Sequence, residues 1–139
     1  MSSAAKISPK ARRKARVFAL QALYQWSYTQ EDINKIETQY LVANDHHKVD
    51  WSYFSELIHG VPAQLTELDD AVKTVIVRPF VEINPIELAA LRLAIFEVQC
   101  LKTPVAVVIN EYIEIIREYG TEEGYRFVNG VLDKIFKNS

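Results

Sequence analysis

Asn84-Pro85-Ile86-Glu87-Leu88-Ala89-Ala90-Leu91-Arg92-Leu93-Ala94-Ile95-Phe96-Glu97-Val98 is the stretch that decides the fold class. Asparagine can cap a helix, and proline fits the first helical position because its missing N–H has no partner there. Glutamate at the third position can reach back to the cap. Leu88, Leu91, Ala94, Ile95 and Val98 then recur at three- and four-residue spacing, which marks one apolar face of a helix. Cys100 and Leu101 close this central element.

The same period extends in both directions. Downstream, Thr103-Pro104 repeats the start signal, Val105, Val108, Ile109, Tyr112, Ile116 and Tyr119 form the next face, and Gly120 stops it. Thr121 caps a last helix that carries Phe127, Val128, Val131, Leu132 and Ile135. Upstream, a helix begins near Pro9 with Val17, Leu20, Leu23, Tyr24 and Ser27 and breaks at residues 29–32. A second carries Ile33, Ile36, Tyr40 and Leu41 and ends in the polar stretch 44–48. Asp50 caps a third with Tyr53, Phe54, Leu57 and Ile58, which kinks or restarts at Gly60-Val61-Pro62. Leu65, Leu68, Val72 and Val75 continue it to Pro79. The β-branched runs 75–77 and 105–109 sit inside longer 3.6-residue patterns, so both are assigned to helix. The expectation is an all-α protein of six or seven helices, with a flexible tail at 1–8 and a single domain over 9–139.

Composition agrees. Hydrophobic residues make up 49% of the 139 and charged residues 24%, which excludes a largely disordered chain. Cys100 is the only cysteine, so no intramolecular disulfide forms and a reducing compartment is expected. The N-terminus is basic but lacks the apolar run of about 7–15 residues of a signal peptide. No run approaches the roughly 20 apolar residues that span a bilayer. A cytoplasmic location follows as the expectation.

Charge is distributed unevenly. Lys6, Lys10, Arg12, Arg13, Lys14 and Arg16 put six basic groups and no acid into the first sixteen residues. Subtracting those six from the total of 16 leaves ten basic groups against all 18 acids in the remainder. On a helix, Arg12 and Arg16 share a face, Lys10 and Lys14 share another, and Arg13 points a third way. Charge surrounding the first turns suits an arm laid on a phosphate backbone, and arginine also stacks on bases. A solvated tail is the alternative reading of the same residues. Tyr24 lies two turns beyond Arg16 and reads as core rather than as a stacking platform.

Catalytic signals are missing. The chain has no glycine-rich phosphate loop, HExxH, CxxC or GxSxG. His46, His47 and His59 lack metal-ligand spacing and read as surface or structural groups. Cys100, in an apolar helix, reads as a buried structural thiol. Glu122-Glu123 at a helix start is explained by the macrodipole. No enzyme activity, cofactor or metal is expected.

Several blocks resemble the NusB family of bacterial transcription antitermination factors. Ala11-Arg-Arg-Lys-Ala-Arg16 with Ala19-Leu-Gln-Ala-Leu-Tyr24 resembles its opening helix, and Glu87-Leu-Ala-Ala-Leu-Arg-Leu-Ala-Ile-Phe-Glu97 its middle helix. Ile109-Asn-Glu111 through Glu114, Tyr119-Gly120 and Phe127-Val-Asn-Gly-Val-Leu-Asp133 resemble its C-terminal signature. They occur in the family's order over essentially the whole chain. Val17 stands where the family often has an acid, and Lys14 where arginine is frequent.

The resemblance implies two packed helical subdomains and a non-enzymatic role in transcription antitermination. It implies binding of the boxA RNA element of ribosomal RNA leaders together with NusE, a small-subunit ribosomal protein, near RNA polymerase. Carried over by motif, Arg12, Arg13, Lys14 and Arg16 grip RNA, Tyr24 lies near the RNA or partner surface, Glu123 and Phe127 border the RNA path, and Glu87 faces NusE. Two of these are awkward physically. An acid at Glu123 repels phosphate, and Phe127 also reads as core because Val128, Val131 and Ile135 continue its face. Asn110, Glu111 and Asn129 read as structural polar groups that satisfy buried partners. Two other readings compete. A similar helical domain assists RNA binding in certain ribosomal RNA cytosine methyltransferases, for whose catalytic domain these 139 residues are expected to leave no room. The other is a protein-binding helical module with an incidental basic tail. Self-association is not readable from one chain, and a homodimer is not predicted.

Overall fold

Helix α1 (Pro9–Thr29) opens the computed structural model, which describes residues 8–44 and 47–137. Of the expected tail, only Ser8 falls within that range. Its hydroxyl accepts the Ala11 N–H, so this residue already caps α1, with Pro9 at the first helical position. His46 and residues 1–7 lie outside the described residues. Six further α-helices follow: α2 (Ile33–Ala43), α3 (Trp51–Ala63), α4 (Leu65–Lys73), α5 (Pro85–Gln99), α6 (Val105–Tyr119) and α7 (Glu122–Lys137). A 3₁₀ turn spans Phe80–Glu82, and there is no strand among the described residues. The chain divides into two compact units, Met1–His59 and Gly60–Ser139, the boundary falling inside α3. Two units match in number the two subdomains that the resemblance implies.

In the first unit, α1 ends where Gln30 takes a left-handed conformation (φ 59°) and donates its N–H to the Trp26 carbonyl. Asp32 caps α2 through the Asn34 N–H. Asp50 caps α3 by accepting the Tyr53 N–H, and its own N–H donates to the Ala11 carbonyl, which ties the start of α3 to α1. Aromatic rings fill the space between the helices. Phe18 of α1 stacks on Trp51 of α3 and tilts against Tyr40 of α2, while Phe54 meets both Tyr40 and Trp51. Offset and edge-on pairs of this kind add to the area they bury.

In the second unit, α5 is the central element, packed by α4, α6 and α7. Its apolar surface is wider than the single face expected. Ala89, Ala90 and Leu93 are as buried as Leu91, Ala94 and Ile95, because neighbours cover the helix on several sides. Asn84 caps it with bonds from the Ile86 and Glu87 N–H groups, but the Glu87 carboxylate turns toward Arg78 instead of reaching back. Arg92 on α5 grips Asp69 on α4 with two bonds of 2.7 and 2.9 Å. Gly60 admits the Phe96 ring against the α3 backbone, where any Cβ would overlap it. Thr121 caps α7 through the Gly124 N–H.

Three local expectations change. α4 ends at Lys73, and residues 75–77 are neither helix nor strand. The Thr74 hydroxyl takes the Asp70 carbonyl at 2.6 Å, and Pro79 restricts the residue before it to extended backbone, so the pattern is not continued. By contrast 105–109 is helical, as expected, although Pro104 is the N-cap residue rather than the first helical one. Cys100 is exposed rather than buried, because it lies past the last covered turn of α5.

Candidate nucleic-acid interface

The basic arm is less uniform than its sequence suggests. Arg16 falls on the buried stripe of α1 with Ala19, Leu20 and Leu23 and is itself only 4% exposed. Its guanidinium carbon lies 5.6 Å from the centre of the Tyr53 ring. Arg12, one turn earlier, stacks closer on the same ring at 4.1 Å and donates from Nε and Nη2 to Asp50 Oδ2 at 3.3 and 3.2 Å. Tyr53 is thus a shared platform for two arginines, and the buried Asp50 holds Arg12 over it. Lys10, Arg13 and Lys14 are exposed. The cations therefore differ in exposure, Arg16 buried, Arg12 half-buried and Lys10, Arg13 and Lys14 exposed, which corrects the view of charge surrounding the first turns alike. Lys6 lies outside the described residues. The spacing of Arg16 from Ala19, Leu20 and Leu23 is the signal in the sequence for its burial, whereas Tyr53 and Asp50 carry only core and cap signals there.

Tyr24 is half-buried and meets the exposed Tyr28 edge-on at 5.0 Å. It therefore stands between the core and platform readings. Hydrogen bonding with Tyr28 pushes its hydroxyl pKa up. Tyr28, which sequence reasoning passed over, is the more open ring.

The second group lies in the other unit and is drawn together by a residue the sequence did not single out. Arg78 places Nη2 3.5 Å from Glu87 Oε1, and its guanidinium carbon sits 3.8 Å from the centre of the Phe127 ring. Glu87 is 9% exposed and packs beneath Gly124, whose missing side chain leaves room for the carboxylate. Burial raises the Glu87 pKa, Arg78 opposes that, and the charge of the exposed Glu123 reinforces it. So Arg78 joins Glu87 and Phe127, and the charge of Glu123 is felt at Glu87. Phe127 is half-buried, with one face under the guanidinium.

Among the described residues no three His, Cys, Asp or Glu side chains come together as metal ligands. His47 is exposed, and His59 Nε2 pairs with Glu37 Oε1 at 2.8 Å, an arrangement internal to the first unit. Asn110 and Asn129 are exposed, so they do not serve buried partners. That work falls to Glu97, fully buried on α5, which accepts the Tyr112 hydroxyl at 2.6 Å. No helix of the described residues is long and apolar enough to cross a membrane.

Comparison with known proteins agrees with this architecture. The chain is 48% identical over 129 residues to the transcription antitermination protein NusB of Idiomarina loihiensis, covering 92% of this chain and 93% of the relative. It is 44% identical to the protein of that name from Pseudoalteromonas translucida, over 95% of this chain and 98% of that one. Among solved structures, T. maritima NusB superposes with a TM-score of 0.80 at 30% identity, covering 94% of this chain and 92% of that one. A chain from a crystal structure of antitermination factors NusB and NusE in complex with dsRNA gives 0.81 over 95% of this chain and all of that one; at 23% identity it speaks to the fold alone. The model of the NusB family matches residues 13–137, nearly the whole of the described chain, and this protein belongs to that family.

Proposed function

We propose that this chain is a non-enzymatic RNA-binding adaptor in transcription antitermination. It holds boxA RNA of ribosomal RNA leaders together with NusE and couples it to RNA polymerase, in the cytoplasm. The observation that carries the reading is the cluster of cations on the first turns of α1: Arg12 and Arg16 lie over Tyr53, with Arg12 bonded to Asp50, and Arg13 and Lys14 are exposed on the same two turns. An ordered cation pair beside exposed ones lowers the entropy lost on gripping a phosphate backbone. Family membership supports the biological setting.

Within this reading Arg12, Arg13, Lys14 and Arg16 bind RNA, with Tyr24 beside them on α1. Glu123 and Phe127 border the RNA path on the second unit. Glu87, largely buried, serves the NusE surface by positioning Arg78 and the start of α7 rather than by wide contact of its own. Fluorescence anisotropy with boxA and scrambled RNA, across salt concentrations and with and without NusE, tests the proposal. BoxA is expected to win, NusE to tighten binding, and log affinity to fall with log salt by about 0.7 per phosphate contact. Equal binding of both RNAs, unchanged by NusE, overturns it.

A further inference from the structure

The C-terminal end of α6 and the outer face of α7 border a groove of about 730 Å³, entirely within the second unit. Arg117, Thr121, Glu122, Tyr125, Arg126 and Asn129 line it. Tyr125 stands two residues before Phe127, about 200° away around the helix, so the groove opens on a different flank of α7 from the contact between Phe127 and Arg78. Its lining is mixed in hydrogen-bonding sense. Two guanidiniums donate, the Glu122 carboxylate accepts, and the Asn129 amide does both. The Thr121 hydroxyl already accepts the Gly124 N–H and can still donate. Both arginines are loosely held. Arg126 Nη2 is 3.6 Å from Glu122 Oε2, and Arg117 Nη1 is 3.1 Å from Glu114 Oε2, with each arginine side chain open to solvent. Surface pairs of this kind add little to stability, so either guanidinium can turn to a ligand. Tyr125 is the fixed part. It is half-buried, and the Arg117 guanidinium carbon lies 4.6 Å from the centre of its ring. Gly130 completes the floor, and a Cβ there would meet nothing within 4 Å.

We propose that this groove docks an extended acidic segment of a partner protein. An extended peptide presents N–H and C=O groups in turn, and Glu122, Asn129 and Thr121 can meet them in both senses. Its carboxylates pair with Arg117 and Arg126. Two cations against one acid in the lining set the sign of the partner's charge. Tyr125, braced by Arg117, supplies an anchor of the kind that dominates protein interfaces, where tyrosine and arginine are enriched at the energetic centre. The volume falls within the range of recognition clefts, about 300–1,000 Å³. An RNA strand fits this lining less well. Its backbone offers negative acceptors at every phosphate, and the Glu122 carboxylate would face them with like charge.

The proposal goes beyond the RNA-binding reading and does not depend on it. The isotope-labelled full chain is titrated by amide NMR with a synthetic peptide of alternating glutamate and alanine, and with the counterpart in which glutamine replaces glutamate. The glutamate peptide is expected to shift the Thr121, Tyr125, Asn129 and Gly130 amides saturably, and the glutamine peptide to leave them in place. Arg117→Gln and Arg126→Gln should each weaken binding by about fivefold, the scale of one exposed ion pair. Gly130→Leu places its side chain in open space, so circular dichroism melts should match the parent while peptide binding is lost. Absence of saturable shifts at these amides overturns the proposal, as do shifts confined to the basic residues of α1. Equal binding by Gly130→Leu overturns it too. BoxA RNA and NusE are then added in turn to the peptide complex. A peptide that stays bound supports a separate protein partner. Displacement by either one assigns the groove to the RNA path or to the NusE surface and overturns the proposal.

Discussion

The Tyr112 hydroxyl donates a 2.6 Å hydrogen bond to the Glu97 carboxylate, with both residues fully buried where α6 packs on α5. A carboxylate in that position has left water and depends on its partners. Tyr112→Phe removes the donor while preserving the ring. The expected cost is about 1–3 kcal/mol, read as a lower urea midpoint with an unchanged m-value. A loss below about 0.5 kcal/mol would mean that other partners satisfy the carboxylate.

Gly60 and Phe96 make a second prediction about stability. A methyl at Gly60 overlaps the Phe96 ring, and both groups are held by helices. Alanine normally favours a helix over glycine by about 1 kcal/mol. Here overpacking should reverse the sign, with Gly60→Ala destabilising by about 1–3 kcal/mol. Gly60→Ala combined with Phe96→Leu should recover part of the loss, and thermal melts of the single and double variants decide the matter.

The arm separates folding from binding. Arg13→Ala and Lys14→Ala should leave the melting temperature within a degree or two of the parent, roughly the scale of surface substitutions. Each should lower the salt slope of RNA binding by about 0.7. Arg16→Ala should lower stability as well as affinity, because it empties a buried position over Tyr53. Asp50→Asn should weaken the hold on Arg12 and soften the start of α3. If all four variants behaved alike, the division of the arm would carry no functional meaning.

Glu87 gives the pH dependence. Its folded pKa is raised above the ordinary 4.5 by burial, against Arg78 and with Glu123. In that window the folded state therefore holds more protons than the unfolded state. Its contribution to stability falls as pH rises from the ordinary carboxylate range through the raised folded value. Glu123→Gln removes one cause of the shift, so the Glu87 carboxyl should titrate lower and that part of the pH–stability slope should flatten. Carboxyl NMR titration of the parent and of Glu123→Gln measures both. An unmoved Glu87 titration would show that the two acids do not sense each other.

The sequence by itself determined the all-helical class and the starts of α3, α5 and α7. Asn84, Asp50 and Thr121 cap where their side-chain chemistry requires, because a cap is a bond between residues two or three apart. It also determined the arginine-rich opening and the family blocks, which are local strings. Only the tertiary structure decided which charges stay outward. Arg16 and Arg12 differ from Arg13 because Tyr53 and Asp50, some forty residues on, meet one face of α1. Nor did any local pattern single out Arg78, a loop residue whose partners Glu87 and Phe127 come from two helices. Cys100 and residues 75–77 show the same limit. Periodicity reports that a residue could face a core, but coverage by neighbouring elements and the hydrogen bonds that end a helix determine whether it does.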